Sequence, residues 1–412
     1  MTNQAPTAAT TSRDAANAAA LSTLIFVSIS FGLAFGVYDL LLPLFWQSRG
    51  IRYPTMGAIF AVAAAGVFLL RIYAGWLSDV FGRKLFYTIS LAASCVANVA
   101  TPIFPNLIAQ GALKTSREAA TTIRDTMHST LLYERDAPGF MRSLGITRGA
   151  EYACHGFGSL AAGILAALAT TSAGQTDYRI PFAFSAGLVL AATLAFAFFY
   201  KELPAGGAAT AARRSMTLRE IFKPGLPGKL WLLIAFAFTF ETGLWATHCF
   251  IMPIYMKQLL ASAVELTPAR EVLGVSVIMM FHRLTSGVPM MLIAPRLRRN
   301  LKGLFITFVF FEGVALAATP LIGNAWLAIG VWLTHDLLGA GIWSPIHQAY
   351  IQKYSRPESR GSDVSKVLAL GQIGSIIGPI LATVLLAQYS IGAPFLVGGI
   401  IVAASAFILV KL

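Results

Sequence analysis

The sequence predicts an all-α polytopic membrane protein with twelve membrane-crossing helices in two pseudo-symmetric six-helix bundles. Three observations carry that prediction: an apolar composition, charge confined to alternate loops, and an internal repeat. Hydrophobic residues make up 56% of the chain and charged residues 12%, against about 25% charged in an ordinary soluble domain. One soluble core has no use for so much apolar surface. The apolar blocks are each about 20 residues long, enough to cross a bilayer core as a helix, the form that satisfies its own backbone groups in lipid.

The net charge of +13 would suggest nucleic acid if the basic residues shared one surface. They gather instead in Arg83-Lys84, Lys201–Lys229, Arg296–Lys302 and Lys353–Lys366, and nearly avoid the loops around Pro105, Gly323 and Ile391. About 20 Lys and Arg lie on one side and about 5 on the other, which sets both termini and the central loop in the cytoplasm.

Residues 1–20 read as a polar cytoplasmic tail; the following apolar run is too long, and lacks the basic flank, for a cleavable signal. Residues 21–200 form the expected N-terminal bundle, with segments starting near Leu21, Thr55, Leu85, Leu107, Ser143 and Ile180. A Gly-, Ala-, Pro- and Arg-rich cytoplasmic linker follows at 201–228, with a short amphipathic helix expected at Thr217–Phe222. The C-terminal bundle, 229–412, has segments starting near Lys229, Glu271, Gly303, Trp326, Ser365 and Ala393.

The halves match in order. Thr101-Pro102 answers Thr319-Pro320, Pro43 answers Pro253, Arg71 with Gly75 answers Arg283 with Gly287, and Pro181-Phe182 answers Pro394-Phe395. Gly158-Ser159 through Ala166 recurs as Gly374-Ser375 through Ala382. Ala/Leu-rich sequence produces chance matches, but less readily with Pro, Asn and Arg in register.

The second segment ends in Gly75, Leu77, Asp79, Gly82, Arg83 and Lys84, the pattern G-x-L-x-D-x-x-G-R-K. Gly-Arg-Lys after any membrane helix also obeys the positive-inside rule, but Gly spacing and charge order coincide here as well. The stretch resembles the loop between helices 2 and 3 of the major facilitator superfamily of secondary transporters. From Leu21 to Leu412 that resemblance implies two parallel six-helix repeats with a substrate path between them near the midplane. It also implies a gating charge relay, with Asp79 and Arg83 reaching the ends of helices 4 and 11 while Arg124 and Asp125 close the cytoplasmic side. The gating set is therefore Gly75, Asp79, Gly82, Arg83, Arg124 and Asp125. After Gly287 the second copy keeps its basic end and loses the acidic position, so such a gate is asymmetric.

An ionisable side chain inside a membrane helix costs at least about 2.5–3.5 kcal/mol on insertion scales and so points to function. On the fourth segment Lys114, Arg117, Thr121, Arg124 and His128 form one helical stripe, expected to face a water-filled cavity. Glu118 and Asp125 lie one step round. On the fifth, Arg148, Glu151 and His155 share a face. Arg124-Asp125, Arg148, Glu151 and Gly158 resemble a pattern of many bacterial facilitators, except that Ser159 stands where a Pro often does. One role for these charges is gating. The other has Lys114, Arg117 and Arg148 binding an anionic group while Glu118 or Glu151 carries protons.

Asp39, Glu241, Glu312 and Asp336 are single charges on other segments, and a carboxylate in low dielectric suits reversible protonation. Asp39 and Glu241 lie on the first segments of the halves, which line the path in the family. Glu312 is on the ninth, which usually faces outward there, and is read as structural. The substrate and coupling candidates are Asp39, Lys114, Arg117, Glu118, Arg148, Glu151, His155, Glu241, His248 and Asp336.

Six histidines fall in or beside membrane segments, none at i and i+4 from another His or Cys, so spacing gives no metal set. Cys95, Cys154 and Cys249 lie in apolar blocks and make neither a disulfide framework nor a zinc site. Aromatics such as Phe236, Phe238, Phe240 and Trp245 can line an organic-solute cavity or face lipid. No G-x-x-x-x-G-K-[ST] loop and no nucleophile–base set occur, which argues against ATP drive and against an enzyme.

The expectation is a monomeric, cofactor-free transporter of the bacterial inner membrane. It would move a small solute by alternating access with proton coupling, with an organic anion or zwitterion favoured. Its partners would be the solute, protons and the lipid bilayer, and no nucleic acid. Amphiphilic drug or metabolite efflux, iron or other metal transport of the magnetosome-membrane type, and a non-transporting scaffold or sensor stay open.

Overall fold

The structure, a computed structural model, describes residues 8–171, 175–202, 225–337 and 339–412, with Trp76 and Asp79 among those described as backbone only. Most of the central linker, including the amphipathic helix expected at Thr217–Phe222, lies outside the described residues.

The first part of the chain supplies α1 (Ala8–Ser48), α2 (Tyr53–Phe81), α3 (Arg83–Ala100), α4 (Leu107–Arg135), α5 (Phe140–Leu168) and α6 (Arg179–Phe199). The second supplies α7 (Gly228–His248), α8 (Ile251–Ala263), α9 (Pro268–Ile293), α10 (Leu301–Ala318), α11 (Ala325–Leu337), α12 (Ala340–Tyr354), α13 (Arg360–Gly371), α14 (Gly374–Gln388) and α15 (Ala393–Ser405). Among the described residues the only extended pairing is a bridge between Thr170 and Thr176. Predicted starts agree to within a few residues except at two places. Helix α1 begins earlier, where an Ala-rich stretch continues the helix. Helix α13 begins at Arg360, with Asp363 in its first turn, where a carboxylate favours a helix N-terminus.

Nine stretches among the described residues are long and apolar enough to cross a membrane. Helices α3, α4 and α5 are not among them, because they carry polar and charged groups that are buried inside the protein. Ser90, Ser94 and Asn98 on α3, Lys114, Arg117 and Arg124 on α4, and His155 on α5 are all buried. The outer surface is apolar, as at Ile108, Leu168 and Phe198.

Helix contacts place the repeat-matched residues alike. A Cβ added to Gly287 of α9 would lie 2.4 Å from Ala153 N and 2.6 Å from Gly149 O of α5, so only glycine lets these backbones touch. Its repeat mate, Gly75 of α2, sits against Ser365 and Gly361 of α13. Each thus joins an early helix to a late one. Gly82 links α2 to α3 at φ 92°, outside the range of L side chains, and Glu202 Oε1 accepts from the first amide of α3, Arg83 N, at 2.7 Å.

One apolar core, around Phe31, Tyr87, Leu131, Val189 and Phe196, lies among α1, α3, α4, α5 and α6. A second runs from Val37, Trp46 and Met56 through Phe236, Phe250 and Trp332 to Val402. Where α1 ends and α2 begins, rings of Trp46, Phe60, Trp245 and Phe250 pack at centroid distances of 5.9–6.4 Å and plug the centre of the protein.

Candidate functional site

Behind that plug lies a cavity of about 370 Å³, walled by α1, α2, α4 and α5 from the first half and α7 and α9–α13 from the second. A larger crevice, about 700 Å³, opens on the outer face between α2, α3 and α4 and is lined by exposed apolar residues such as Val62 and Ile108, a surface for lipid chains.

At one end of the cavity α4 and α5 build a four-charge cluster. Arg124 Nη1 donates to Glu151 Oε2 at 3.0 Å and Nη2 to Asp125 Oδ1 at 2.5 Å. Arg148 Nη1 donates to Asp125 Oδ1 at 3.0 Å and to Glu151 Oε1 at 3.2 Å. Two guanidiniums and two carboxylates cancel, and the Phe31 ring lies 3.7 Å from the Arg124 carbon. Nearer the plug, Asp39 of α1 meets Arg283 of α9 at 3.3 Å and His155 Nε2 of α5 at 3.4 Å. From α2, Arg71 donates to Thr126 Oγ1 at 3.1 Å and to Oε1 of Gln372, the residue after α13, at 2.7 Å, both neutral.

Two carboxylates are held by indoles. Trp245 Nε1 donates to Glu241 Oε2 at 2.6 Å, and Trp343 Nε1 donates to Glu312 Oε2 at 2.5 Å. Glu312 Oε1 is buried with no hydrogen-bond partner. Neither carboxylate makes an ion pair among the described residues. Glu312, expected to be structural, is on the cavity wall, its carboxylate held by the Trp343 indole of α12.

Of the α4 stripe only Thr121 lines the cavity; its charged members turn into the first-half packing. Lys114 Nζ donates to Glu118 Oε1 at 2.5 Å and lies 4.3 Å over the Phe60 ring. Arg117 is fully buried, donates to Asn98 Oδ1 at 3.1 Å and also to Thr121, and sits among Phe31, Phe35 and Tyr38. Lys114 is thus paired within the bundle, whereas Arg117 bonds only neutral groups and its Nη2 is buried without a hydrogen-bond partner. The face one step round, Glu118, Thr122, Asp125 and Ser129, meets the cavity instead.

Outside the cavity, Arg83 forms a fork with Glu134 at the end of α4, with contacts of 2.6 and 2.9 Å, and donates to Ser78 Oγ at 3.2 Å. The Asp79 side chain lies outside the described residues.

A model of the Major Facilitator Superfamily matches residues 24–362. The chain belongs to the major facilitator superfamily. It is a multi-pass integral membrane protein of a family of small-solute transporters rather than enzymes. Among solved structures it is similar to the human organic anion transporter MFSD10 (TETRAN), at 14% identity over 95% of this chain and 99% of that one, TM-score 0.73. It is also similar to a mutant of the nucleoside transporter NupG, at 13% identity over 94% and 99%, TM-score 0.66. At such identities the likeness is one of fold. No curated protein matches the chain by sequence.

In this facilitator the fold gathers residues that spacing along the chain kept apart. Arg71 and Arg283, each on the cavity wall, are a repeat-matched pair, and that match was the available signal for them. Spacing along the chain shows no metal set because His248, His282 and His335 stand on α7, α9 and α11. Their ligating atoms nonetheless lie within 4.8 Å of one another.

Proposed function

We propose that this facilitator carries a small organic zwitterion or anion through the central cavity by alternating access, coupled to protons. Residues 21–200 and 229–412 are the two bundles that rock about the site, and both termini and the linker face the cytoplasm of a bacterial inner membrane. The observation that supports the solute class is Arg71: on the cavity wall, bonded only to neutral groups among the described residues, it can take a carboxylate at little cost. Trp245, Phe240 and Trp343 beside Glu241 suit an ammonium or an apolar body. Lys114, paired with Glu118, and Arg117, packed among Phe31, Phe35 and Tyr38, lie behind the wall and hold the bundle together. Glu241 and Glu312, without an ion-pair partner among the described residues, suit proton exchange better than Glu118 or Glu151, which are already paired with cations.

The same aromatic wall favours a second reading, efflux of an amphiphilic compound, and one experiment separates the two. Proteoliposomes with an imposed pH gradient are offered organic anions, zwitterions and amphiphilic cations. Gradient-driven flux of a carboxylate-bearing solute is expected, with Arg71→Gln raising its KM at least about tenfold, the loss of one charge-assisted contact. Glu241→Gln should abolish gradient-driven flux and spare solute exchange. Flux of amphiphilic cations alone would replace the solute assignment. Folded protein that moves none of these solutes would favour a scaffold.

A further inference from the structure

We infer that His248, His282 and His335, oriented by Asp336, bind one divalent transition-metal ion of the zinc class at the edge of the central cavity. This stands apart from the solute and coupling reading above, and no spacing in the sequence pointed to it.

The ring tautomers carry the inference. His335 Nδ1 faces the carbonyl oxygen of Trp332, which can only accept, so Nδ1 holds the proton and Nε2 the lone pair. His248 Nδ1 lies 2.6 Å from Thr247 Oγ1, and that hydroxyl already donates to Leu244 O at 2.8 Å. His248 Nδ1 therefore donates as well, and its Nε2 also carries a lone pair. The two Nε2 atoms face each other at 3.1 Å. Two lone pairs that close repel unless a cation lies between or beside them. Tetrahedral zinc, with Zn–N bonds of about 2.0–2.1 Å, holds its ligand nitrogens about 3.3 Å apart.

The third imidazole is placed by a carboxylate instead. His282 is fully buried; its Nε2 lies 2.8 Å from Asp336 Oδ2, an ion-pair contact off the hydrogen-bond line, and neither ring nitrogen has a hydrogen-bond partner. A carboxylate behind an imidazole is the usual support of a metal-ligating histidine. Asp336 is itself fixed by the Ser286 hydroxyl and lies 3.6 Å from His335 Nε2. Trp332 covers the site on one side, its ring 4.4 Å from that of His282.

Charge and access agree. His248 is the last residue of α7, and His335 and Asp336 lie in the last turn of α11, so two helix C-termini bring their partial negative charge to the cluster. The nearest fixed cation in sequence, Arg283, is matched by Asp39. His248 and Asp336 line the cavity, which gives an ion a way in. Three neutral imidazoles and one carboxylate select zinc-class ions over magnesium or calcium.

The rival explanation is a proton shared by His248 and His335, and it predicts no metal. The test is equilibrium dialysis of the tag-free full chain in lipid nanodiscs against Zn²⁺ alone, with Mg²⁺ as competitor. One Zn²⁺ per chain is expected, unaffected by Mg²⁺ and weakened at least about tenfold in His335→Ala and in the milder His248→Gln. His347→Gln, a cavity histidine outside the cluster, should bind as wild type, and thermal melting should show each variant folded. Loading with Co²⁺ should give a tetrahedral visible spectrum that His248→Gln loses. Absence of stoichiometric zinc, or equal binding by wild type and His248→Gln, would overturn the inference.

Discussion

Glu151 holds two guanidiniums at once, and one of them, Arg124, has no exposed surface. Replacing it by Gln leaves Arg124 and Arg148 to share Asp125. Breaking a buried ion pair from one side costs about 3–5 kcal/mol, since the remaining charge is stranded. Unfolding of Glu151→Gln in mixed micelles should show a loss of that order, and the double change with Arg124→Leu should cost less than the sum of the single changes. A loss within about 1 kcal/mol would mean that the cluster is wet and adds little. The four members of this cluster were legible as charges at helical spacing, because spacing reports which residues share a face. It does not report where the face points. Arg117 and Thr121 belong to one stripe, yet Arg117 is packed among Phe31, Phe35 and Tyr38 and Thr121 meets the cavity. Partners such as Asn98 on α3, far off in sequence, decide that.

At the scale of elements, the contact of α5 with α9 depends on backbones that touch. A side chain at Gly287 would have to displace the Gly149 carbonyl or the Ala153 amide, and neither can yield without bending α5. Overpacking a fitted interior costs about 1–3 kcal/mol, and more where the obstacle is backbone. Gly287→Val should therefore lower the melting temperature in detergent and stop solute flux, while Gly187→Ala on α6, with open space around it, should change neither. A Gly287→Val protein with normal melting and flux would show that α5 and α9 need not touch. This contact was half legible: the repeat matched Gly75 with Gly287 because both positions face a similar close approach. The helix break after His248 was not legible, since no Pro or Gly pair marks it and it lies within one apolar stretch. The histidine cluster draws one residue from each of α7, α9 and α11, so spacing along the chain hid it too.

Over the whole molecule, composition, loop charge and repeat give the fold because lipid leaves the backbone few alternatives. They say nothing of which contacts must part during transport. In the structure α2 crosses α14 near the aromatic plug, where a Cβ at Gly57 would lie 2.2 Å from Thr383 Oγ1. If the two bundles rock as proposed, this contact on the plugged side opens when the cavity turns to that face. A disulfide needs Cβ atoms about 3.5–4.5 Å apart, so Gly57→Cys with Thr383→Cys should cross-link on mild oxidation. Cys95, Cys154 and Cys249, the free cysteines, are first changed to Ser so that only the introduced pair can react. Oxidation should then halt flux and a reductant restore it, while the single cysteine variants keep transporting under both conditions. Flux that persists through complete cross-linking would mean that α2 and α14 move as one body, and the hinge would have to lie elsewhere. Because Gly57 and Thr383 lie outside the cavity and the histidine cluster, loss of flux here reports the movement of helices and not the binding of solute or metal.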